Sequence, residues 1–232
     1  METKPPAHSK GREITQTVIE MAVNLVPMAG STIAVALMTG LNRKLNRRRE
    51  RWLTELAEGV EELRQRFAEF DPDVLVESDA FVDAVMTATQ TAFRTSQQEK
   101  IEVLRNAVLN SAMPGAPELD IQQLYFEFID RLTPTHLRLL TLLNDPPVWF
   151  DQRPELTRPQ FALMSNRGEL ITAALPELGT NSSAIVARFY AALTDGGLVN
   201  GALQGTMSAD GAWQSVTTDH GKDFLAFVRD PR

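Results

Sequence analysis

In the first half of the sequence, apolar residues recur every three or four positions and nowhere alternate with polar residues over a useful length. This spacing places apolar side chains along one face of an α-helix, whereas a half-buried strand needs strict alternation. The clearest example runs from Trp52 through Leu56 to Phe67, with Arg and Glu on the remaining faces. We therefore predict an all-helical bundle over residues 13–131, preceded by a flexible N-terminal tail at residues 1–12.

Local signals for helix ends divide this bundle into separate helices. Pro27 is predicted to end or kink a first helix, and the sequence "DPD" at 71–73 is predicted to end a later one. Ser78 is a favourable N-cap for the helix that follows. Ser96 and Glu99 have the spacing of a capping box, in which each side chain bonds the other residue's backbone N–H. A further helix is therefore expected to start there.

After Leu132 the sequence predicts shorter helices followed by a hairpin. Thr133 is expected to be an N-cap with Pro134 at the first helical position, where proline is favoured. This helix is expected to end at Asp145. Further helices are expected near Thr157, over 169–178 and over 182–195. Two strands around a turn at 208–211 and a last helix capped at Thr218 complete the prediction.

Helices followed by a hairpin and a last helix are the order of a winged-helix domain. The stretch "FYAALTDGGLV", residues 189–199, is followed by the predicted hairpin and then by "TTDHGKDFLAFV", residues 217–228. This ending resembles that of many bacterial winged helices. The resemblance implies a mainly α fold, in which the helical bundle is followed by a C-terminal winged-helix-like domain with a small β-hairpin over residues 132–232.

Four further stretches carry a second resemblance. In chain order they are "VPMAGSTIA", "RRRERWL", "QQEKIEVLRNAVLNSAM" and "LTPTHLRLLTLL". Their order resembles that of a group of uncharacterised bacterial proteins, in which a helical bundle is followed by a winged helix. This group is similar in layout to the abortive-infection alpha family. The resemblance implies a role in bacterial phage defence or stress response, and it assigns no catalytic residues.

The net charge of −7 is unevenly distributed along the chain. Residues 1–60 carry nine Lys and Arg against six acidic residues, whereas residues 61–130 carry five against fourteen. The first segment contains a basic cluster formed by Arg43, Lys44, Arg47, Arg48, Arg49 and Arg51. Such a cluster pairs with acidic helices of its own chain, or it contacts anionic lipid or nucleic acid. The acidic middle of the chain favours the first interpretation.

Directly before this cluster, residues 21–41 contain no ionisable side chain. A run of this length can span a bilayer, lie on one, or form a core helix of a soluble bundle. Pro27, Gly30 and Gly40 interrupt the run, and this favours a packed core helix. The alternative is a membrane-inserting toxic effector that inserts this run while the basic cluster binds anionic headgroups. We expect a cytoplasmic protein, peripheral to the inner membrane in the second case.

The sequence contains no familiar reaction centre. A P-loop, a nucleophile elbow, a dinucleotide-binding glycine pattern and a two-histidine zinc helix are all missing. The chain has no cysteine, which excludes thiolate catalysis and cysteine-bound zinc and is typical of a reducing compartment. His136 and His220 are expected to face solvent. We therefore predict a non-enzyme without catalytic residues, metal or cofactor.

Winged helices often bind DNA through Lys and Arg on the recognition helix and the wing. Here the candidate recognition helix contains only Arg188, and residues 198–218 contain no Lys or Arg. DNA binding is therefore disfavoured, and Arg188 and Trp213 are predicted to lie on a surface for a protein partner. A helical surface rich in Ala and Leu favours a homodimer over a monomer. The leading hypothesis is a protein-interaction module. A DNA-binding transcription regulator and the membrane-inserting effector are the alternatives.

Overall fold

The computed structural model describes residues 32–67, 72–75, 77–161, 164–178, 183–203, 205 and 207–231. The predicted tail at residues 1–12 and the predicted helix ending at Pro27 lie outside the described residues. The chain divides into two compact units, residues 1–47 and residues 48–232.

The described part of the first unit is the beginning of helix α1, Thr32–Arg66. Residues 21–31 of the apolar run lie outside the described residues. Within the run, Leu37 is 69% exposed and Leu41 is 48% exposed. The expectation of a packed core helix is therefore wrong for these two side chains. The helix continues without a break into the basic cluster, and residues 39–47 are exposed to solvent. No helix in the described part of the chain is long and apolar enough to cross a membrane.

The second unit is built mainly from helices, so the prediction of a mainly α fold is confirmed. After α1 the helices are α2 (Pro72–Leu75), α3 (Asp79–Arg94), α4 (Gln98–Ser111), α5 (Leu119–Arg131), α6 (Pro134–Asn144), α7 (Pro146–Asp151), α8 (Arg167–Ala174), a 3-10 turn (Pro176–Leu178), α9 (Ser183–Asp195), α10 (Ala209–Ala212) and α11 (Asp219–Val228). Two short strands, β1 (Met164–Ser165) and β2 (Met207–Ser208), pair antiparallel.

The hydrophobic core of the second unit forms around α4, which packs against α3, α5 and α11. Leu104 and Val108 of α4 are at most 1% exposed. The predicted stripe on α1 is buried at Trp52, Leu56 and Leu63, as expected. The core extends from Trp52 to Val228. The predicted boundary after residue 131 therefore lies inside one compact unit, and the division into a bundle and a C-terminal domain stays a prediction.

Side-chain amides fasten α11 to α4. Asn110 Nδ2 donates hydrogen bonds to the carbonyl oxygens of Phe227 at 2.8 Å and Arg229 at 2.7 Å. Asn106 Nδ2 donates to the carbonyl oxygen of Val228 at 3.2 Å. The last carbonyl groups of a helix have no partner within it. The two asparagines supply those partners from a helix that lies far away in the sequence.

Helix starts follow the sequence where the capping group is local. Ser78 Oγ accepts a hydrogen bond from the backbone N–H of Phe81 at 3.4 Å, so the predicted N-cap is confirmed. Thr133 is also confirmed, in a capping box with His136. The capping box predicted at Ser96 is wrong, because the N-cap of α4 is Gln97.

Pro146 and Pro147 follow the end of α6 and also form the start of α7. Asp145 Oδ1 accepts a hydrogen bond from the N–H of Val148 at 3.1 Å, and Pro146 occupies the first position of α7. The helix predicted near Thr157 is wrong, since residues 157–161 have no regular structure.

The turn predicted at 208–211 is wrong, whereas the outer ends of the two predicted strands do pair. Ser208 does not start a turn between two strands: its Oγ accepts from the N–H of Gly211 at 3.1 Å and caps α10. β2 pairs with β1, which precedes it by a long stretch of chain. Val199 and Thr217 form an isolated antiparallel bridge. A serine followed by alanine and aspartate satisfies the start of a helix as readily as a turn.

Candidate functional site

The predicted basic cluster lies on α1 and is divided between the two units. In the first unit Arg43, Lys44 and Arg47 are exposed. None of them belongs to a salt bridge formed within the described part of the chain. Among the described residues, the expected pairing of these cations with acidic helices is therefore not observed.

In the second unit, Arg48 and Arg51 line a hollow of about 80 Å³ beside the start of α4. Arg49 is half-buried nearby in the sequence. Trp52 forms part of the wall, and its indole N–H donates to Thr89 Oγ1 at 2.8 Å. No side chain that lines the hollow has a buried polar atom without a hydrogen-bond partner. The hollow therefore contains no group that requires a ligand.

The position of α9 is set by its buried face. Val186, Tyr190 and Leu193 are at most 4% exposed. The Tyr190 hydroxyl donates toward the carbonyl oxygens of Asn200 and Gly201, at 3.3 and 3.2 Å. Burial raises the pKa of this phenol, so it remains a hydrogen-bond donor. These contacts hold α9 against the segment that follows it.

The opposite face of α9 is exposed at Ala184, Ile185, Arg188, Ala191 and Asp195. Ile185 is 53% exposed. The other four residues follow one another at steps of four, three and four positions, so they form one row along the helix. The row combines two small side chains with one cation and one anion. We call it the α9 row.

Trp213, the second residue predicted for the winged-helix surface, is half-buried. Its ring centroid lies 5.6 Å from that of Phe150 and 5.7 Å from that of Phe161. The guanidinium carbon of Arg158 lies 4.6 Å from the same centroid. Three side chains of the chain itself therefore engage the ring, and Arg188 is not among them.

The two described histidines are half-buried, so the expectation that they face solvent is wrong. His136 Nδ1 accepts a hydrogen bond from the N–H of Thr133 at 3.1 Å, and the ring contacts Phe189. Burial lowers the pKa of His136. The ring of His220 packs on Tyr125. In the part of the chain that the structure describes, no group of three His, Cys, Asp or Glu side chains could hold a metal ion.

A cavity of about 240 Å³ lies between α4, α6 and α7. We call it the α4–α6 cavity. Its charged and polar lining includes Glu99 and Glu102 from α4, Arg138 from α6, Trp149 from α7 and Arg153. The guanidinium of Arg153 stacks 3.5 Å from the centroid of the Trp149 ring. Both Trp149 Nε1 and Arg138 Nε are buried without a hydrogen-bond partner.

No pattern in the sequence predicts this cavity. The only local signal is the pair of carboxylates at Glu99 and Glu102, which one helical turn brings to the same face of α4. Glu99 is assigned to a capping box in the sequence-based prediction, whereas its carboxylate lies 3.6 Å from Arg138 Nε. Nothing in the spacing of the chain connects Glu99 with Arg138 or Trp149.

Comparison of the chain with protein-family models, curated proteins and solved structures gives no match.

Proposed function

We propose that this chain is a non-enzymatic protein-interaction module and that the α9 row is its contact surface. The observation that carries the proposal is the composition of the row, in which Ala184 and Ala191 flank Arg188 and Asp195 closes the series. Small side chains allow a partner helix to approach closely. Exposed Ile185 adds apolar area beside the row.

We also infer that the C-terminal part of the chain is winged-helix-like. The order of α6, α8 and α9, followed by the bridge between Val199 and Thr217 and then by α11, supports this interpretation. In such a fold α9 occupies the place of the recognition helix.

The charge on α9 disfavours duplex DNA as the ligand of this surface. Neutralised phosphates supply most of the affinity for DNA. Arg188 is the one cation on α9, and Asp195 lies in the same row. Residues 198–218 contain no Lys or Arg. A DNA-binding transcription regulator is therefore the less favoured alternative.

The α9 row is complementary to itself, which makes a second copy of the chain the partner we propose. If two α9 helices pack antiparallel around a two-fold axis near Ala191, Arg188 of one copy lies opposite Asp195 of the other. A contact that is repeated by two-fold symmetry in this way forms a closed dimer. The alanines at the axis let the two backbones approach.

Charge reversal tests this proposal. Arg188→Asp and Asp195→Arg each place like charges opposite one another, so each variant is expected to be monomeric in light scattering at concentrations where the native chain is a dimer. The double variant restores opposite charges and is expected to restore the dimer. Glu127→Arg, an exposed change on α5, is the matched control and should leave the dimer intact.

Two outcomes would contradict the proposal. The first is a native chain that is monomeric at every concentration up to hundreds of micromolar. The second is nanomolar, sequence-selective duplex binding at physiological salt that Arg188→Ala abolishes, which would support the transcription regulator instead.

For the biological setting we propose a bacterial phage-defence or stress-response system in the cytoplasm, on the basis of the resemblance to the abortive-infection alpha family. Phage are expected to form fewer plaques on bacteria that express the native chain than on bacteria that express the Arg188→Asp variant. Equal plaque counts would remove the support for this setting.

A further inference from the structure

Three leucines of α1 are exposed to solvent and share one side of the helix. Leu37 is 69% exposed, Leu41 is 48% exposed and Leu45 is 40% exposed. They follow one another at steps of four positions, so their side chains form a row along the helix. We call this set the α1 leucine row. Its apolar surface is in contact with water, and burial against an apolar partner is therefore favourable.

Most of the other side chains in this stretch are polar. The exposed polar residues between and just after the leucines are Thr39, Asn42, Arg43, Lys44, Asn46 and Arg47. A helix with one apolar face and basic residues on its polar side lies in the plane of a membrane interface. Residues 37–47 of α1 have this composition.

The charge of this part of α1 has a single sign. Residues 21–49 contain no Asp or Glu. Arg43, Lys44 and Arg47 take part in no salt bridge formed within the described ranges. Each Lys or Arg close to an anionic membrane surface strengthens binding by about fivefold. An anionic bilayer therefore provides acyl chains for the leucines and phosphate groups for the cations.

We propose that α1 binds the surface of an anionic lipid bilayer through the α1 leucine row. The helix lies in the plane of the membrane, with the leucines at the boundary between headgroups and acyl chains. Lys44 follows Leu41 by three positions, so it lies at the edge of the row, where its long side chain reaches the headgroups. Arg43 is two positions from both Leu41 and Leu45, so it lies on the side that faces water.

Two other partners match this surface less well. A second copy of the row would bring cations close to cations, because residues 21–49 contain no acidic side chain to offset them. Nucleic acid would pair with the cations but would leave the apolar surface of the leucines in water. The leucine row and the α9 row lie on different helices, so the inference does not rest on the proposed function.

Co-sedimentation of the full chain with lipid vesicles tests the inference. One set of vesicles is phosphatidylcholine alone, and the other is an equal mixture of phosphatidylcholine and phosphatidylglycerol. We expect at least about tenfold stronger binding to the mixed vesicles at low salt. This preference should decrease as salt is added, because salt screens the attraction between the cations and the headgroups.

The leucines are tested by the double variant Leu37→Gln, Leu41→Gln. Binding to the mixed vesicles should become about 10- to 100-fold weaker, because two apolar side chains no longer enter the interface. The matched control is the double variant Leu119→Gln, Ile121→Gln on α5, where the side chains are 41% and 38% exposed. Its affinity should not change.

The cations are tested by two single changes that remove the same charge. Lys44→Gln, at the edge of the leucine row, should weaken binding to the mixed vesicles by about fivefold. Arg43→Gln, on the opposite side of the helix, is the matched control and should weaken binding less. Neither change should alter binding to phosphatidylcholine alone.

A dye at a single position reports which side of α1 meets the lipid. The chain contains no cysteine, so Leu41→Cys or Asn46→Cys carries one environment-sensitive dye. Mixed vesicles should shift the emission of the dye to the blue at position 41. At position 46, on another side of the helix, the emission should change little.

Several results would overturn the inference. Equal binding to the two kinds of vesicle would exclude recognition of anionic lipid, and equal affinities of the two double variants would exclude the leucine row. Equal losses in Lys44→Gln and Arg43→Gln would exclude the in-plane orientation. Blue emission at position 41 before vesicles are added would show that the chain itself covers the row. Tighter binding to duplex DNA or RNA, unchanged in the leucine double variant, would assign the cations to nucleic acid.

Discussion

The ammonium group of Lys100 donates a hydrogen bond to the carbonyl oxygen of Leu132 at 3.0 Å and a second one to that of Asp130 at 2.7 Å. Lys100 belongs to the first turn of α4, and both carbonyl groups lie at the end of α5. A cation is favourable at the C-terminus of a helix. Burial lowers the pKa of Lys100. This lysine therefore caps a neighbouring helix from inside the core.

Lys100→Met should destabilise the chain by about 2 to 3 kcal/mol, because it removes charged hydrogen bonds and leaves buried carbonyl groups unpaired. The methionine keeps most of the length of the stem. Urea denaturation measures the change in the free energy of unfolding. Lys222→Met is the control, since Lys222 lies on the surface and pairs only within α11, and its denaturation midpoint should not move. Equal midpoints for the two variants would show that the cap contributes nothing.

Stability is expected to fall on mild acidification because of His136. Burial holds the pKa of this imidazole below its ordinary value of 6.5. Between the lowered pKa and 6.5, the unfolded chain binds more protons than the folded chain, so the free energy of unfolding decreases as the pH falls through that window. A protonated ring also cannot accept the hydrogen bond from the Thr133 N–H.

His136→Gln tests this pH dependence. A glutamine at the same position can accept the Thr133 N–H and does not titrate. Melting temperatures measured from about pH 7.5 to about pH 5.5 should therefore fall less in the variant than in the native chain. An unchanged slope would assign the acid sensitivity to other groups.

Gly221→Ala should destabilise the chain by about 1 to 3 kcal/mol or more. A Cβ atom at Gly221 would overlap the carbonyl oxygen of Leu198 and lie 2.7 Å from Thr217 Cγ2. Gly40→Ala is the matched control, because a Cβ atom there meets nothing within 4 Å. That change should stabilise α1 by about 0.5 to 1 kcal/mol. Thermal denaturation distinguishes the two, and a tolerated Gly221→Ala would disprove the close approach of α11 to Leu198.

The exposed leucines of α1 offer a direct test of the apolar run. The double variant Leu37→Gln, Leu41→Gln should leave the free energy of unfolding nearly unchanged, because these side chains are 69% and 48% exposed. Leu104→Ala, at a residue that is 1% exposed, should cost about 2 to 5 kcal/mol. Chemical denaturation of both variants gives the comparison. A large decrease in the free energy of unfolding of the double variant would instead support the sequence-based expectation that the run is packed.

The sequence predicts helices well where the determining interaction spans a few residues. Ser78 and Thr133 act on backbone groups within the next turn, so their roles follow from local spacing. The burial of Trp52 and Leu63 follows from the apolar stripe in the same way.

Other features depend on residues that the sequence keeps far apart. Glu99 fits a capping box locally, but its carboxylate lies beside Arg138, and no spacing rule encodes that contact. β2 pairs with β1 rather than with a neighbouring strand, because Ser208 starts a helical turn instead of a hairpin. The α4–α6 cavity is a product of such distant contacts, which explains why it cannot be recognised before the fold is known.

The attachment of α11 to α4 has a consequence for the synthesis of the chain. Asn110 and Phe227, which are hydrogen-bonded, are 117 positions apart. At about 5 to 20 residues per second, a ribosome needs roughly 6 to 23 s to make the intervening segment. During that interval the face of α4 that receives α11 has no native cover. Nascent chains stalled between these two positions should therefore be a preferred target for chaperones that recognise exposed leucine and valine.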